Sequence, residues 1–203
     1  MKTLLLIDIQ NDFMPGGALP VPEGDAIVPV VNALLPRFDL IVATQDWHPA
    51  DHGRFAANYP GSHGGEVIDL HGVPQILWPV HCVQNTGGAC FAPGLETRCI
   101  ERIFQKGTDP AIDSYSGFFD NGHRKATGLA EFLRDRSARE LWLAGLATDY
   151  CVKFTALDAA TEGFRVTLIE DACRGVNLQP HDVSRAIDEM RAAGVVIAPS
   201  PSA

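Results

Sequence analysis

The chain has 203 residues and a formal net charge of −9, with 46% hydrophobic and 20% charged residues. These values are typical of one folded globular domain and exclude a disordered chain. The basic residues are scattered along an acidic chain, which argues against a nucleic-acid partner, and the apolar runs are too short to cross a membrane.

The N-terminus and the cysteines predict a cytoplasmic protein. The start, MKTLLLIDIQ, turns acidic before a signal-peptide core develops. The five cysteines are an odd number, and none forms a C-x-x-C pair, so we expect reduced thiols. The sequence leaves open whether the chain forms a homo-oligomer.

Short apolar runs predict six strands, which are, in chain order, TLLLIDI, FDLIVATQ, CIERIFQKG, ELWLAGLA, RVTLIEDA and GVVIAPS. Helices are predicted at residues 25–35, 128–134, 149–162 and 182–193. Strands that alternate with helices favour an α/β fold in which a parallel sheet is covered on both faces.

One segment interrupts this alternation, at about residues 47–97, and is rich in Gly, Pro, His and Asn. We interpret it as an irregular insertion over the functional site of a single domain that spans residues 1–203. The first strand is followed by DIQNDFMPGG rather than G-x-G-x-x-G, so no dinucleotide or other organic cofactor is predicted.

Polar side chains stand at the ends of four predicted strands. The first strand ends at Asp8, the second at Asp46 and His48, the third at Lys106, and the fourth leads to Cys151. Taken alone, each of these residues also has a purely structural explanation. Asp8 could cap a turn, Lys106 could be a solvated strand end, and Cys151 could be a small buried thiol. Because ligands bind beyond the carboxyl ends of parallel strands, the coincidence predicts one shared site.

The chemistry predicted for this site is acyl transfer. A cysteine on the first turn of a helix meets unpaired N–H groups and the positive end of the helix dipole, which favour the thiolate. Cys151 is thus a candidate nucleophile, with Asp8 as the base that takes and returns its proton. Lys106 offers a cation, and the backbone N–H groups of Ala147 and Cys151 offer an oxyanion hole.

A second set of residues suits a metal ion. Asp46 and His48 lie two positions apart on an extended strand end, so both side chains point to one side, and His81 arrives from the insertion. The same spacing also arises by chance in a chain with seven histidines. Phe13 and Trp78 flank these residues and are candidates to hold a flat ring, although core packing also explains them.

Five stretches, LLLIDIQNDF, ATQDWHP, WPVHCVQNT, KGTDPAIDSYSGFFDN and GLATDYCVKFTALDA, resemble the nicotinamidase branch of the isochorismatase-like cysteine hydrolases. The resemblance implies a three-layer α-β-α sandwich of Rossmann-like topology with a six-stranded parallel sheet. It also implies hydrolysis of nicotinamide to nicotinic acid and ammonia in NAD salvage, through a cysteine thioester, and a similar hydrolysis of pyrazinamide to pyrazinoic acid.

The resemblance also assigns roles to residues. It implies a cis peptide bond before Ala147 and one divalent metal ion, with zinc expected and manganese or iron as alternatives. The matching motifs imply a catalytic triad of Asp8, Lys106 and Cys151, metal ligands Asp46, His48 and His81, an oxyanion hole at Ala147 and Cys151, and ring contacts from Phe13 and Trp78.

Two positions limit this transfer. The stretch DHGRFA has Arg54 where the resemblance leads us to expect a small polar residue, and His52 is a provisional further metal ligand. Other members of the superfamily, such as an isochorismatase, a ureidoacrylate amidohydrolase or an N-carbamoyl amidase, share the Asp-Lys-Cys set. A rival of another class is a metal-binding or thiol-redox sensor without hydrolytic activity.

Overall fold

A computed structural model describes residues 1–201 of the chain, and Ser202 and Ala203 of the predicted domain lie outside the described residues. Helices and strands alternate along most of it. The elements are β1 (Lys2–Ile7), α1 (Ile27–Leu34), β2 (Leu40–Asp46), β3 (Val67–Leu70), β4 (Val73–Ile76), β5 (Arg102–Lys106), α2 (Leu129–Asp135), β6 (Glu140–Leu146), α3 (Lys153–Thr161), β7 (Arg165–Arg174), α4 (Asp182–Ala192) and β8 (Val196–Ala198).

The main sheet has six strands in the order β5-β2-β1-β6-β7-β8, and every neighbouring pair is parallel. This confirms the predicted α/β fold with a three-layer α-β-α sandwich. Strands β2 and β5 lie on one side of β1, and the later strands β6, β7 and β8 lie on its other side. The strand order therefore reverses between β1 and β6, where open α/β sheets place their ligand crevice.

Side chains on successive strand positions enter two separate cores. Leu5 and Ile7 of β1 pack into the core beneath α2, α3 and α4, whereas Leu4 and Leu6 pack into the core beneath α1. All four are fully buried. Each such side chain stabilises the fold by about 1.5–3 kcal/mol, which explains why β1 is an unbroken apolar run.

The helix before β7 starts with a π-helical turn. Residues Thr148–Val152 form this turn and α3 continues it from Lys153, so the helical segment begins one residue before the predicted start at residue 149. The carbonyl of Ala147 accepts hydrogen bonds from the N–H groups of Tyr150 and Val152, and the second of these has π-helical spacing. Cys151 therefore lies in the first turn of the helical segment, and this turn is π-helical rather than α-helical.

The segment at about residues 47–97 is irregular apart from an antiparallel hairpin of β3 and β4. Isolated bridges tie this segment to itself, pairing His48 with Val83 and Phe55 with Trp78, and one ties it to the residues after β1, pairing Gln10 with Phe91. These bridges hold the loop over the carboxyl edge of the sheet. Within residues 1–201, no helix has the length and apolarity needed to span a membrane.

Candidate active site

The sheet brings the four predicted strand ends together. Strands β5, β2, β1 and β6 are neighbours, and Asp46 is the register partner of Lys106. Asp8 follows β1, and Cys151 follows β6 after a turn. Because all four strands run parallel, their carboxyl ends open on one crevice. The structure thus places the side chains of Asp8, Asp46, Lys106 and Cys151 in one cluster.

Lys106 lies at the centre of this cluster. Its Nζ is 2.9 Å from Asp8 Oδ2, 2.5 Å from Asp46 Oδ1 and 3.4 Å from Cys151 Sγ. A further hydrogen bond runs from Nζ to the carbonyl of Ser114, at 2.9 Å. Only 2% of Lys106 is exposed. A buried lysine keeps its positive charge when its partners are charged and in direct contact, as they are here.

The charges in this cluster shift one another's pKa values in different directions. Burial opposes the Lys106 cation, but Asp46 and Asp8 outweigh burial and raise its pKa well above the ordinary value. Burial also opposes the Asp46 carboxylate, yet Lys106 and then His48 lower the pKa of Asp46 well below its usual range. For Asp8, burial exceeds the opposing effect of Lys106, and its pKa is raised. Asp8 is therefore the better proton acceptor.

Cys151 lies on the π-turn after the cis peptide bond between Leu146 and Ala147, which the resemblance implied. Burial raises the pKa of the Cys151 thiol well above its ordinary value, and Lys106 only partly opposes this. The resting group is consequently a protonated thiol rather than the thiolate expected from a helix N-terminus. A nucleophilic reaction at Cys151 needs a base, and Asp8 is the carboxyl whose pKa suits this task.

Asp46, His48 and His81 form a group whose atoms fit a divalent metal ion. Their candidate ligand atoms all lie within 4.8 Å of one another. His48 Nδ1 bonds the Gly107 carbonyl at 2.8 Å and His81 Nδ1 bonds the Pro79 carbonyl at 2.7 Å, so each ring presents Nε2. The buried Nε2 of His81 has no hydrogen-bond partner among the described residues. Two imidazole nitrogens and a carboxylate oxygen suit zinc and similar ions.

Asp46 links the candidate metal group to the cluster around Lys106. Its Oδ1 contacts Lys106, while its Oδ2 lies 3.4 Å from His48 Nε2 and 4.0 Å from His81 Nε2. One carboxylate therefore contacts both sets of residues, a link that the sequence alone does not predict. The position of Asp46 at the end of β2, between β5 and β1, gives it this double contact.

His52 faces a different group of residues. Its Nδ1 accepts the backbone N–H of Arg54 at 3.2 Å, which places the ring proton of the neutral form on Nε2. Its candidate ligand neighbours are His48 and Asp113 rather than Asp46 and His81. Burial lowers the pKa of His52 to about 4, so the ring is neutral at pH 7. The tautomer argues against His52 as a ligand of the ion that Asp46 would hold.

A small pocket opens above Cys151. Its volume is about 20 Å³, which is room for about one water molecule. The predicted ring-binding residues Phe13 and Trp78 line it. Five residues that were not predicted also line it: Leu19, Val21, Tyr115, Tyr150 and Val176. Trp78 Nε1 donates to the Tyr115 hydroxyl at 3.0 Å. The motif DSYSGFFDN, which contains Tyr115, was the available signal for this contact.

Gly107 gives a direct test of how His48 is held. Its φ is +62°, and a Cβ at this position would lie 2.5 Å from His48 Nδ1 and closer still to Cε1. We expect Gly107→Ala to displace the imidazole and weaken zinc binding by about 10- to 100-fold, as disturbed ligand orientation does at other metal sites. Titration of metal-stripped protein with zinc against a chromophoric chelator measures this change.

Gly128→Ala is the matched control for that titration. Gly128 also has a positive φ, of +87°, but a Cβ there meets nothing within 4 Å. The control carries the same backbone strain without the clash, so we expect it to lose stability and keep its zinc affinity. If both variants bound zinc equally well, the proposed ring position of His48 would be contradicted.

The family comparison places almost the whole chain in one family. The isochorismatase domain matches residues 2–201. A nicotinamidase from Escherichia coli (strain K12) is 52% identical over 203 residues, covering 97% of this chain and 93% of its own length. This similarity extends beyond the site into both cores, so the whole chain resembles this relative.

Solved structures of two other proteins share the overall fold of this chain. The Acinetobacter baumanii nicotinamidase pyrazinamidase superposes with a TM-score of 0.95 at 43% identity, covering 98% of this chain and 96% of the other. The pyrazinamidase of Pyrococcus horikoshii, solved in complex with zinc, superposes with a TM-score of 0.79 at 42% identity and covers 98% of both chains. The zinc in the second structure is a property of that protein.

Proposed function

The chain belongs to the isochorismatase domain family, and we propose that it is a metal-dependent cysteine amidohydrolase that converts nicotinamide to nicotinic acid and ammonia in NAD salvage. Pyrazinamide is proposed as a second substrate, hydrolysed to pyrazinoic acid. The observation that carries the proposal is the contact of Lys106 Nζ with Asp8, Asp46 and Cys151. It joins a nucleophile, a base and a metal-ligand carboxylate through one buried cation.

The metal and the aromatic side chains would bind the substrate ring. Asp46, His48 and His81 are the residues that would hold the ion. A divalent ion held there would supply a Lewis acid for the pyridine nitrogen of nicotinamide. Phe13 and Trp78 line the same pocket as Cys151, so they would fix the ring and leave the carboxamide over the thiol.

The first half of the reaction forms a thioester. Asp8 takes the proton of the Cys151 thiol, and the sulfur attacks the carboxamide carbon. The backbone N–H groups of Ala147 and Cys151, together with the Lys106 cation, stabilise the oxyanion. The C–N bond then breaks, Asp8 returns its proton to the nitrogen, and ammonia leaves. The carbon is now bonded to Cys151 Sγ.

The second half of the reaction hydrolyses the thioester. Asp8, again a carboxylate, removes a proton from a water molecule that attacks the same carbon. The second oxyanion uses the same N–H groups, the C–S bond breaks, and the sulfur recovers the proton from Asp8. Nicotinic acid leaves and the thiol is restored. Lys106 stays protonated throughout, because Asp46, the stronger of the two carboxylates that raise its pKa, keeps its charge while Asp8 carries a proton.

The proposed function is tested by ammonia release from nicotinamide. We expect turnover by purified protein, loss of turnover after treatment with a chelator, and recovery when zinc, manganese or iron(II) is added back. Absence of turnover by every metal-loaded form would overturn the proposal. Ureido substrates and isochorismate, tested next, separate the other members of the superfamily. Reversible oxidation of Cys151 without any amide turnover would instead indicate the sensor.

A further inference from the structure

Arg54 is a buried cation inside the pocket that contains Cys151. Only 3% of the residue is exposed, and its guanidinium carbon lies 5.8 Å from the Trp78 ring centre and 5.3 Å from that of Tyr115. Its Nε has no hydrogen-bond partner among the described residues. A buried guanidinium normally has its donors satisfied. Arg54 has no role in the proposed mechanism.

The guanidinium of Arg54 contacts a candidate metal ligand. Nη1 lies 3.4 Å from His48 Nε2. The other ring nitrogen of His48 bonds the carbonyl of Gly107, so Nε2 carries the single lone pair of the neutral ring. That lone pair accepts a hydrogen from Arg54 or binds a metal ion, but it does not do both. Arg54 and a metal ion therefore compete for one atom.

Asp113 holds the guanidinium beside the metal group. Arg54 Nη1 lies 2.5 Å from Asp113 Oδ1, and Asp113 is fully buried. The other carboxylate oxygen, Oδ2, has no hydrogen-bond partner among the described residues. The guanidinium can thus leave His48 and keep its ion pair by bonding Oδ2 with its free donors. Metal entry would break the contact with His48 without stranding a buried charge.

The backbone of Arg54 is fixed on both sides, which limits any movement to the side chain. Its carbonyl accepts the N–H of Trp78 at 2.9 Å, and its N–H bonds His52 Nδ1. The tether is therefore rigid and the guanidinium stays within reach of His48.

We propose that Arg54 competes with divalent metal for the metal site and thereby lowers the affinity of this chain for the metal. When metal binds, the guanidinium leaves His48 and stays paired with Asp113. The inference rests on the metal site in the proposed function. It predicts opposite effects for the two members of the ion pair. Removal of the Arg54 charge strengthens metal binding, because both the competing donor and the repulsion between cations disappear. Removal of the Asp113 charge weakens it, because the guanidinium loses its alternative partner.

The test measures Zn²⁺ affinity without reference to activity. Metal-stripped wild type, Arg54→Gln, Arg54→Ser and Asp113→Asn are titrated with Zn²⁺ against a chromophoric chelator, and thermal melts confirm that each is folded. We expect both Arg54 variants to bind zinc about tenfold more tightly, the size of one hydrogen bond to a charged group, and Asp113→Asn to bind about tenfold more weakly. A purely structural role would weaken binding in all of them.

Arg98→Ser is the matched control for net charge, because Arg98 is 91% exposed and its removal also deletes one positive charge. We expect its zinc affinity to stay within about twofold of wild type. Equal zinc affinity in wild type and both Arg54 variants would overturn the Arg54 proposal alone. Absence of zinc binding by every form would overturn the metal site and the Arg54 proposal together.

Discussion

Cys151→Ala is expected to lower turnover of nicotinamide by at least about 10⁴-fold, as loss of the nucleophile does in other enzymes with a covalent mechanism. The sulfur is the atom of the cluster that would form the bond to the substrate, and among the described residues no other thiol and no side-chain hydroxyl is bonded to Lys106. The loss should appear in kcat, whereas binding of nicotinamide and of zinc is retained. Ammonia release and direct ligand titration measure the two effects separately.

A covalent adduct gives a second readout for the role of Cys151. Wild-type protein quenched in acid during turnover should carry a nicotinoyl group on the peptide that contains Cys151, as detected by mass spectrometry. The alanine variant should show none. Burial raises the pKa of this thiol, so a serine variant, whose hydroxyl is still harder to ionise, is expected to be inactive as well.

Cys173→Ala is the matched control for this experiment. Cys173 is also a buried thiol, and burial raises its pKa to about 12, but it lies within β7 and does not line the pocket of Cys151. We expect it to lose some stability and to keep its activity. If Cys151→Ala turned over nicotinamide as fast as Cys173→Ala, the thioester mechanism would be wrong.

The strand ends explain why so much of the site could be predicted. A parallel sheet sends every strand end to one edge, so Asp8, Asp46 and Lys106 could be assigned to the same edge once β1, β2 and β5 were recognised as strands. The order of strands in the sheet did not follow from the sequence, because it depends on which apolar faces pack together. The layered fold was predictable from the alternation of apolar runs and helices alone.

The loops explain what could not be predicted. The position of Arg54 depends on hydrogen bonds with Trp78 and His52, which join parts of the irregular segment that have no periodic pattern. The double contact of Asp46 depends on the register of β2 against β5. The first helical turn, which contains Cys151, is π-helical, and nothing in the composition of its five residues distinguishes it from an α-helical turn.

Lys106→Met is expected to destabilise metal-stripped protein by about 3–5 kcal/mol, the cost of leaving buried charges without a partner. Asp8 and Asp46 would then be buried without the cation that contacts both. Lys106 lowers the pKa of each carboxyl in the wild type, so its removal raises both values. Activity should fall as well, because a protonated Asp46 no longer suits a metal ion and the oxyanion loses a donor. Urea unfolding and ammonia release measure the two effects.

The pH dependence of this destabilisation has a definite sign. A carboxyl whose folded pKa lies above its unfolded value stabilises the fold at low pH, and that contribution is lost as pH rises through the folded pKa. In the wild type, Asp46 has a lowered pKa, and its contribution is instead present above the unfolded pKa and lost as pH falls. The difference in unfolding free energy between wild type and Lys106→Met should therefore grow from about pH 4 to pH 7.

Lys153→Met separates the loss of this buried cation from the loss of any lysine. Lys153 pairs with Glu189 at 3.0 Å, and Glu189 is half exposed. Such a pair contributes at most about 1 kcal/mol, with little change between pH 4 and 7. If Lys106→Met unfolded with the stability and pH profile of Lys153→Met, the buried carboxylates would have another source of neutralisation. The charges of Asp8 and Asp46 would then not depend on Lys106.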